Sequence, residues 1–279
     1  MINILLDFCL QAGALMEKNR QHIRSLGNKD AGVASVVTQT DVQISDLFEQ
    51  TVKKHWGNLN YLIIDEEKIS RYHGDLFAKI AASEYQFVID PIDGTVQYAN
   101  GHPLYGVTVG VYKNAKPMLG LIYMPQSGEL LYCDEQKVYH VQNAFSANAV
   151  KREVVPQDKA APIIFGHAWY WRLTMQFSTE KALFFNYFSA VSQTFYTLLG
   201  DAKAYCMHLH LWDIAGVMPL ADKLGLKIFE YETGKIYDAI SAEYFTDDTH
   251  TQKPCVLCRP QDLDEVKQLV EPAFDKAKI

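Results

Sequence analysis

The sequence predicts an α/β protein, and three observations carry that expectation. Apolar residues recur at helical spacing in two early stretches, Ile4, Leu5, Phe8, Ala12, Leu15 and Met16 in one and Ile44, Leu47, Phe48, Thr51 and Val52 in the other. Two short apolar runs, 61–64 and 86–89, read as strands that end in acidic residues. Two β-rich runs, 105–111 and 118–124, flank Lys113-Asn114-Ala115-Lys116, which reads as a hairpin turn.

The remaining elements follow in chain order. Residues 128–133 continue the strands, the strand pattern lapses over 142–149, and a helix-like stretch runs over 180–199. A last helix is expected over 213–224, with Gly225 as its stop. The lapse sets a boundary near residue 145, giving an N-terminal α+β subdomain, 1–145, and a C-terminal α/β subdomain, 146–279. No linker, repeat or low-complexity tract separates them, so two tightly packed subdomains are expected.

A chain of 279 residues that is 48% apolar and 21% charged has enough material for a large core and no sign of disorder. A net charge of −7 without a basic run argues against nucleic acid as a partner. No apolar run reaches membrane-spanning length and the N-terminus has no leader pattern, so no membrane partner and a cytoplasmic location are expected. Cys9, Cys133, Cys206, Cys255 and Cys258 are odd in number and scattered, which reads as reduced thiols rather than a disulfide framework. The Cys255–Cys258 pair has redox or zinc spacing but sits in an apolar run with no second pair, and strand packing is the better reading. His208 and His210, two apart, read as surface or edge positions rather than ligands.

The most informative segment is Asp90-Pro91-Ile92-Asp93-Gly94-Thr95. Pro91 fixes its own φ and pushes Asp90 into an extended conformation, while Gly94 permits a bend that brings Asp93 back toward Asp90. A helix starting at Thr95 aims its free N–H groups at the same spot and favours an anion there. Such pairs often do nothing but turn the chain, so their company matters. Asp65-Glu66-Glu67 closes one apolar run, and Asp213 stands at the expected N-cap of a helix in Leu211-Trp212-Asp213-Ile214-Ala215-Gly216. Two carboxylates about 4 Å apart repel by on the order of 4 kcal/mol at an effective dielectric near 20, so converging acids protonate, splay or recruit a cation.

Asp65-Glu66-Glu67, Asp90 to Thr95, and Trp212 to Gly216 resemble, in order and at compatible separations, the three signatures of the inositol monophosphatase family, Mg-dependent and lithium-sensitive phosphatases. The likeness spans nearly the whole chain, and Val36-Val37-Thr38-Gln39-Thr40-Asp41 resembles that family's V-T-x-x-D segment. The resemblance implies a layered α/β/α/β sandwich of the inositol monophosphatase and fructose-bisphosphatase type, and a homodimer. It also implies two or three Mg²⁺ ions held by Glu66, Asp90, the Ile92 carbonyl, Asp93 and Asp213, a ligand set of oxygens that suits this hard cation. Asp41 and Thr95, with Glu66, would serve catalysis by a metal-activated water; Gly94, Thr95, Asp93 and Asp213 would bind substrate and its phosphate. For Asp41 a helix cap is the competing reading, and Glu67 either backs the ligands or is simply solvated.

The implied activity is hydrolysis of a small phosphate monoester. In inositol-hydrolysing relatives a glutamate seven positions before the aspartate of the tryptophan motif contacts the substrate; here that position is Cys206. Lys29 is the nearest match to the family's lysine, Phe188-Ser189 replaces a glycine-serine pair, and Gln97-Tyr98 replaces asparagine-phenylalanine. A 3′(2′),5′-bisphosphate nucleotidase and a histidinol-phosphate or fructose-bisphosphate phosphatase therefore stay open as alternatives. So does an inactive metal- and phosphate-binding homologue.

Overall fold

The computed structural model describes residues 1–20, 25–28, 36–72, 74–156, 160–166, 175–177 and 181–272. Helices α1 (Ile2–Asn19) and α2 (Gln39–Trp56) each bury one stripe: Leu5, Phe8, Cys9, Ala12 and Met16 on the first, Ile44, Phe48, Val52 and Trp56 on the second. Between them in sequence stands an antiparallel pair, β1 (Ser25–Asn28) and β2 (Val36–Thr38).

The next seven strands are β3 (Tyr61–Asp65), β4 (Tyr85–Asp93), β5 (Gly106–Lys113), β6 (Lys116–Met124), β7 (Glu129–Cys133), β8 (Val138–Gln142) and β9 (Val150–Glu153). They form one sheet in sequence order. β3 and β4 are parallel, connected through a 3₁₀ turn (Glu66–Tyr72) and α3 (Leu76–Ala82); every later pairing is antiparallel. The short helix α4 (Thr95–Ala99) follows β4 directly. At the expected hairpin, Asn114 and Ala115 both take positive φ, 50° and 63°, which matches the right-handed twist of the flanking strands.

The rest of the chain comprises β10 (Ile163–Gly166), β11 (Met175–Phe177), β12 (Leu183–Phe185), α5 (Ala190–Leu199), β13 (Ala204–Met207), α6 (Leu211–Ile214), α7 (Val217–Lys223), β14 (Lys227–Glu230), β15 (Cys255–Cys258), α8 (Leu263–Leu269) and β16 (Val270–Pro272). A second sheet runs β12-β10-β13-β15-β14, while β11 pairs with β16. Three apolar clusters define the layers. One joins α1 and α2 to the first sheet through Phe8, Phe48, Phe87, Val109 and Leu121. The central cluster sandwiches α5, α6 and α7 between the sheets, with Val88, Ile122 and Leu131 on one side and Phe165, Tyr205 and Leu257 on the other. The third covers the outer face of the second sheet with Val266 and Leu269 of α8. The layering is therefore α/β/α/β with α8 as an outer cover.

Two expectations are corrected, and one strand was not foreseen. The helix foreseen from residue 180 begins at Ala190; residue 180 lies outside the described residues, and Leu183–Phe185 is a strand. Ser189 caps α5 by accepting the Ser192 N–H, a local signal that outweighs the apolar run ahead of it. The helix foreseen over 213–224 is two helices, α6 and α7, broken at Ala215-Gly216. Finally, β9 follows the lapse in pattern, with all four residues exposed and hence no apolar alternation to reveal it.

Candidate metal and phosphate site

β4 delivers the first two acids. It pairs with β5 from Tyr85↔Lys113 to Asp90↔Thr108, shifts register between Asp90 and Asp93, and resumes at Asp93↔Gly106. Pro91 has no N–H to offer the ladder, so the irregularity falls there and re-aims the strand. Gly94 follows at φ 79°, where an added Cβ would meet the Leu104 carbonyl oxygen at 2.8 Å and Ser189 Oγ at 3.1 Å. A side chain is thus excluded at Gly94 twice over, by backbone conformation and by space. α4 then begins at Thr95, as the motif predicts, and Thr95 Oγ1 donates to the Ile92 carbonyl at 2.9 Å. The other lone pair of that carbonyl remains available to a cation.

Asp213 comes from the far side of the core. It is the third residue of α6 rather than its cap; His210 is the capping residue, and its N–H donates to Asp213 Oδ2 at 2.8 Å. The break after α6 rests directly on the first sheet. A Cβ on Gly110 would stand 2.1 Å from the Ala215 carbonyl oxygen, and one on Gly120 2.2 Å from that of Gly216. Bare backbone on β5 and β6 is what lets α6 sit low enough for Asp213 to meet Asp90.

The result is one acidic centre. Carboxylate oxygens of Asp90, Asp93 and Asp213 all lie within 4.8 Å of one another. Asp90 and Asp93 are buried, at 2% and 4% exposure. Burial first, then the neighbouring carboxylates, holds Asp90 and Asp213 well above the usual carboxylate range. Asp93 is pushed up to about 7 by burial, moderated by the Val191 N–H and Ser189 Oγ, each 2.9 Å from its Oδ1 at the start of α5. Glu66, first residue of the 3₁₀ turn after β3, lies close enough to oppose ionisation of all three. Asp90 Oδ1 is buried and has no hydrogen-bond donor among the described residues. An orphaned, crowded set of hard oxygens is disfavoured unless a cation joins it, and this donor set fits Mg²⁺.

Asp41 is buried at the third position of α2, near enough to Tyr98 to oppose ionisation of its phenol. Asp65, which the sequence reading places in the first acidic segment without a role of its own, shapes the acidic turn: Ser45 Oγ donates to its Oδ2 at 2.5 Å and the Glu67 N–H to its Oδ1 at 3.0 Å. Ser189 is named in the sequence reading only for its place beside Phe188; its role as cap and partner of Asp93 was missed, though a serine directly ahead of an apolar helical run is a cap signal. Lys29 lies outside the described residues.

A model of the inositol monophosphatase family matches residues 1–239. The chain belongs to the inositol monophosphatase family. A fructose-1,6-bisphosphatase/inositol-1-monophosphatase of Aquifex aeolicus is 27% identical over 123 residues, 44% of this chain and 43% of that protein. The chain thus spans less than half the length of this curated relative. An IMPase/NADP phosphatase solved with Mg²⁺ and phosphate superposes with a TM-score of 0.73 at 16% identity, covering 96% of this chain and 93% of the other. A Staphylococcal inositol monophosphatase-1 in a lithium-soaked inhibitory complex gives 0.72 at 17% identity, over 96% and 92%. Both likenesses concern the fold.

Within this family frame, Cys206 is fully buried in the outer apolar cluster with Ile164, Val256 and Cys258, on the opposite face of β13 from Tyr205. Its thiol is held far above the usual range by burial and offers a substrate no charged group. All five cysteines are free and buried, and Cys255–Cys258 is strand β15. The histidines depart from the edge positions expected of them. His208, half-buried, stacks on His250 at 5.4 Å; His250 meets His210 at 3.6 Å, and His210 lies flat on Trp212 at 4.3 Å. Burial, then His250, lowers His208 to about 4 and His210 to about 3. Thr249, at φ 71°, presents its Oγ1 to His210 Nδ1 at 3.1 Å. Thr249 and His250 lie beyond residue 239, where the family match ends. Among the described residues no helix is long and apolar enough to cross a membrane.

Proposed function

We propose that this chain hydrolyses a small phosphate monoester in a Mg²⁺-dependent reaction. The observation that carries this reading is the triad Asp90, Asp93 and Asp213, whose oxygens crowd within 4.8 Å while Asp90 Oδ1 has no donor among the described residues. Glu66, Asp90, the Ile92 carbonyl, Asp93 and Asp213 would hold two or three ions. Bound there, magnesium supplies positive charge that neutralises phosphate and makes a water nucleophilic near neutral pH.

The chain's own groups do the rest. Thr95 Oγ1 gives its proton to the Ile92 carbonyl at 2.9 Å, so its lone pairs face outward to accept from the attacking water. Asp41 is the partner assigned to take that water's proton. The Gly94 and Thr95 N–H groups hold nonbridging phosphate oxygens as charge redistributes in the transition state. Asp93 stays oriented through Ser189 and the α5 N–H of Val191, and Asp213 through the His210 N–H.

One observation favours a narrower second reading. The rings of His208, His250, His210 and Trp212 pack one on the next in a column, and its last two members, His210 and Trp212, stand at the start of the helix that carries Asp213. Such a stack can take an aromatic base or imidazole as its next ring, so it suits the alcohol portion of a nucleotide or of histidinol phosphate better than the non-aromatic ring of inositol. The same reading has the protein work in the cytoplasm, where five buried free thiols persist. It also makes the protein a homodimer, for which Leu183 and Phe185, exposed on edge strand β12, are candidate contacts.

The test is phosphate release with Mg²⁺ from inositol monophosphates, histidinol phosphate, 3′-phosphoadenosine 5′-phosphate and fructose bisphosphate. One strongly preferred ester identifies the substrate, and an aromatic one supports the ring stack. Silence across the panel, with the protein folded, favours the inactive homologue and refutes the hydrolase.

A further inference from the structure

Two buried donors beside the acidic centre have no part in the mechanism above. Tyr205 sits on β13 with its side chain in the core between the sheets; it is fully buried, and its hydroxyl makes no hydrogen bond among the described residues. Gln193 lies one turn into α5 and is also fully buried. Its Oε1 accepts the Tyr187 N–H at 3.0 Å, whereas its Nε2 makes no hydrogen bond among the described residues. The two side chains approach one another where α5 crosses β13, and the Asp93 and Asp213 carboxylates stand near enough to oppose ionisation of the phenol.

Packing alone does not explain this pair. A phenylalanine at 205 would fill the same space without stranding a hydroxyl in a dry core, and the Tyr187 N–H that Gln193 Oε1 accepts does not account for the Gln193 Nε2. Asp93 already turns one oxygen to Ser189 and Val191, and Asp213 turns one to His210, so each carboxylate has a further oxygen to orient. We propose that Tyr205 is a positioning residue of the acidic centre, assisted by Gln193: its hydroxyl donates, directly or through one water shared with Gln193 Nε2, to the Asp93 and Asp213 carboxylates. Partners of this kind fix the direction of a ligand's lone pairs without touching the ion. The proposal rests on the phosphatase reading only in requiring a divalent cation at Asp90, Asp93 and Asp213.

The test is thermal unfolding across a magnesium titration, with no substrate present, of the unaltered protein, Tyr205→Phe and Tyr237→Phe. Tyr237 is the control, because its hydroxyl is likewise buried with no hydrogen bond among the described residues but belongs to the β14 and β15 region. The expected result is a magnesium midpoint raised about 10-fold in Tyr205→Phe, with an unfolding temperature in chelator equal to or above that of the unaltered protein. Tyr237→Phe keeps the original midpoint. In the phosphate-release assay excess magnesium restores Tyr205→Phe to nearly full kcat, which a purely structural lesion would not permit. An unchanged midpoint in Tyr205→Phe overturns the positioning role and leaves the hydrolase reading standing. If magnesium stabilises none of the three proteins, both fall together.

Discussion

Asp93→Asn separates the cost of the acidic centre from its use. In the metal-free protein the Asp93 carboxyl is displaced from 3.8 to about 7, chiefly by burial. About three pKa units at 1.36 kcal/mol each correspond to on the order of 4 kcal/mol. The sign follows from the raised folded value: stability is fully present below pH 3.8 and is lost progressively as pH rises to about 7. At about pH 5.5 roughly half of that loss is incurred. Asparagine carries no charge and keeps an oxygen for Ser189 Oγ and the Val191 N–H, both at 2.9 Å. In chelator near pH 8 the variant is therefore expected to unfold roughly 10 °C above the parent, at a few degrees per kcal/mol for a chain of this size. The gap halves by about pH 5.5, magnesium stabilises the parent but not the variant, and phosphate release is abolished. Calorimetry or fluorescence-monitored unfolding in buffers from about pH 4 to 8, with chelator or magnesium, reads all of this. A variant that is less stable than its parent at pH 8 without metal would refute the electrostatic argument.

Two further expectations concern the same centre. Gly94→Ala forces an L residue into φ 79° and its Cβ to 2.8 Å from the Leu104 oxygen, beside the Ser189 hydroxyl that holds Asp93; the strain is about 1–2 kcal/mol before any collision, and displacement of Asp93 lowers kcat by roughly 100-fold or more, so a fully active variant would remove Gly94 from the site. Millimolar lithium inhibits phosphate release, in line with the lithium-soaked complex of a protein with this fold; insensitivity would argue against a third cation position while leaving the hydrolase intact.

Much of the fold was legible because it is written locally. The stripes of α1 and α2, the acid-ended strands and the Asn114-Ala115 turn each depend on residues a few positions apart. What escaped depends on partners far away in sequence. β9 shows no alternation because both its faces meet solvent, and it exists as a strand only through pairing with β8. The break between α6 and α7 is forced by the first sheet: a continuous helix would press against β5 and β6, where Gly110 and Gly120 admit only backbone. Gly216 in the sequence marks the break, but nothing adjacent to it reveals the sheet beneath.

The site divides along the same line. Every acid that forms the centre stands in a recognisable segment, since a carboxylate ligand needs a turn or strand end to deliver it and such punctuation is visible in one dimension. The residues that hold those acids do not advertise themselves. Ser189 lies 96 positions from Asp93, and Tyr205 and Gln193 read as ordinary strand and helix fillers until burial strips their polar atoms of partners. His250 is subtler still, because it joins the ring stack ahead of Asp213 only through the isolated bridge with His210 and the left-handed turn at Thr249. A β-branched residue at φ 71° is held there at a cost of about 1–3 kcal/mol, a strain that persists only where the surroundings impose it. Here the imposing contacts are the Leu211 N–H to the Thr249 carbonyl at 2.9 Å and the His210 ring itself, which tie the 246–251 loop to the very helix that carries Asp213. Thr249 and His250 thus sit on a strained loop fastened to the helix that carries Asp213, and loops held on a rigid scaffold in this way are where one fold varies what it binds.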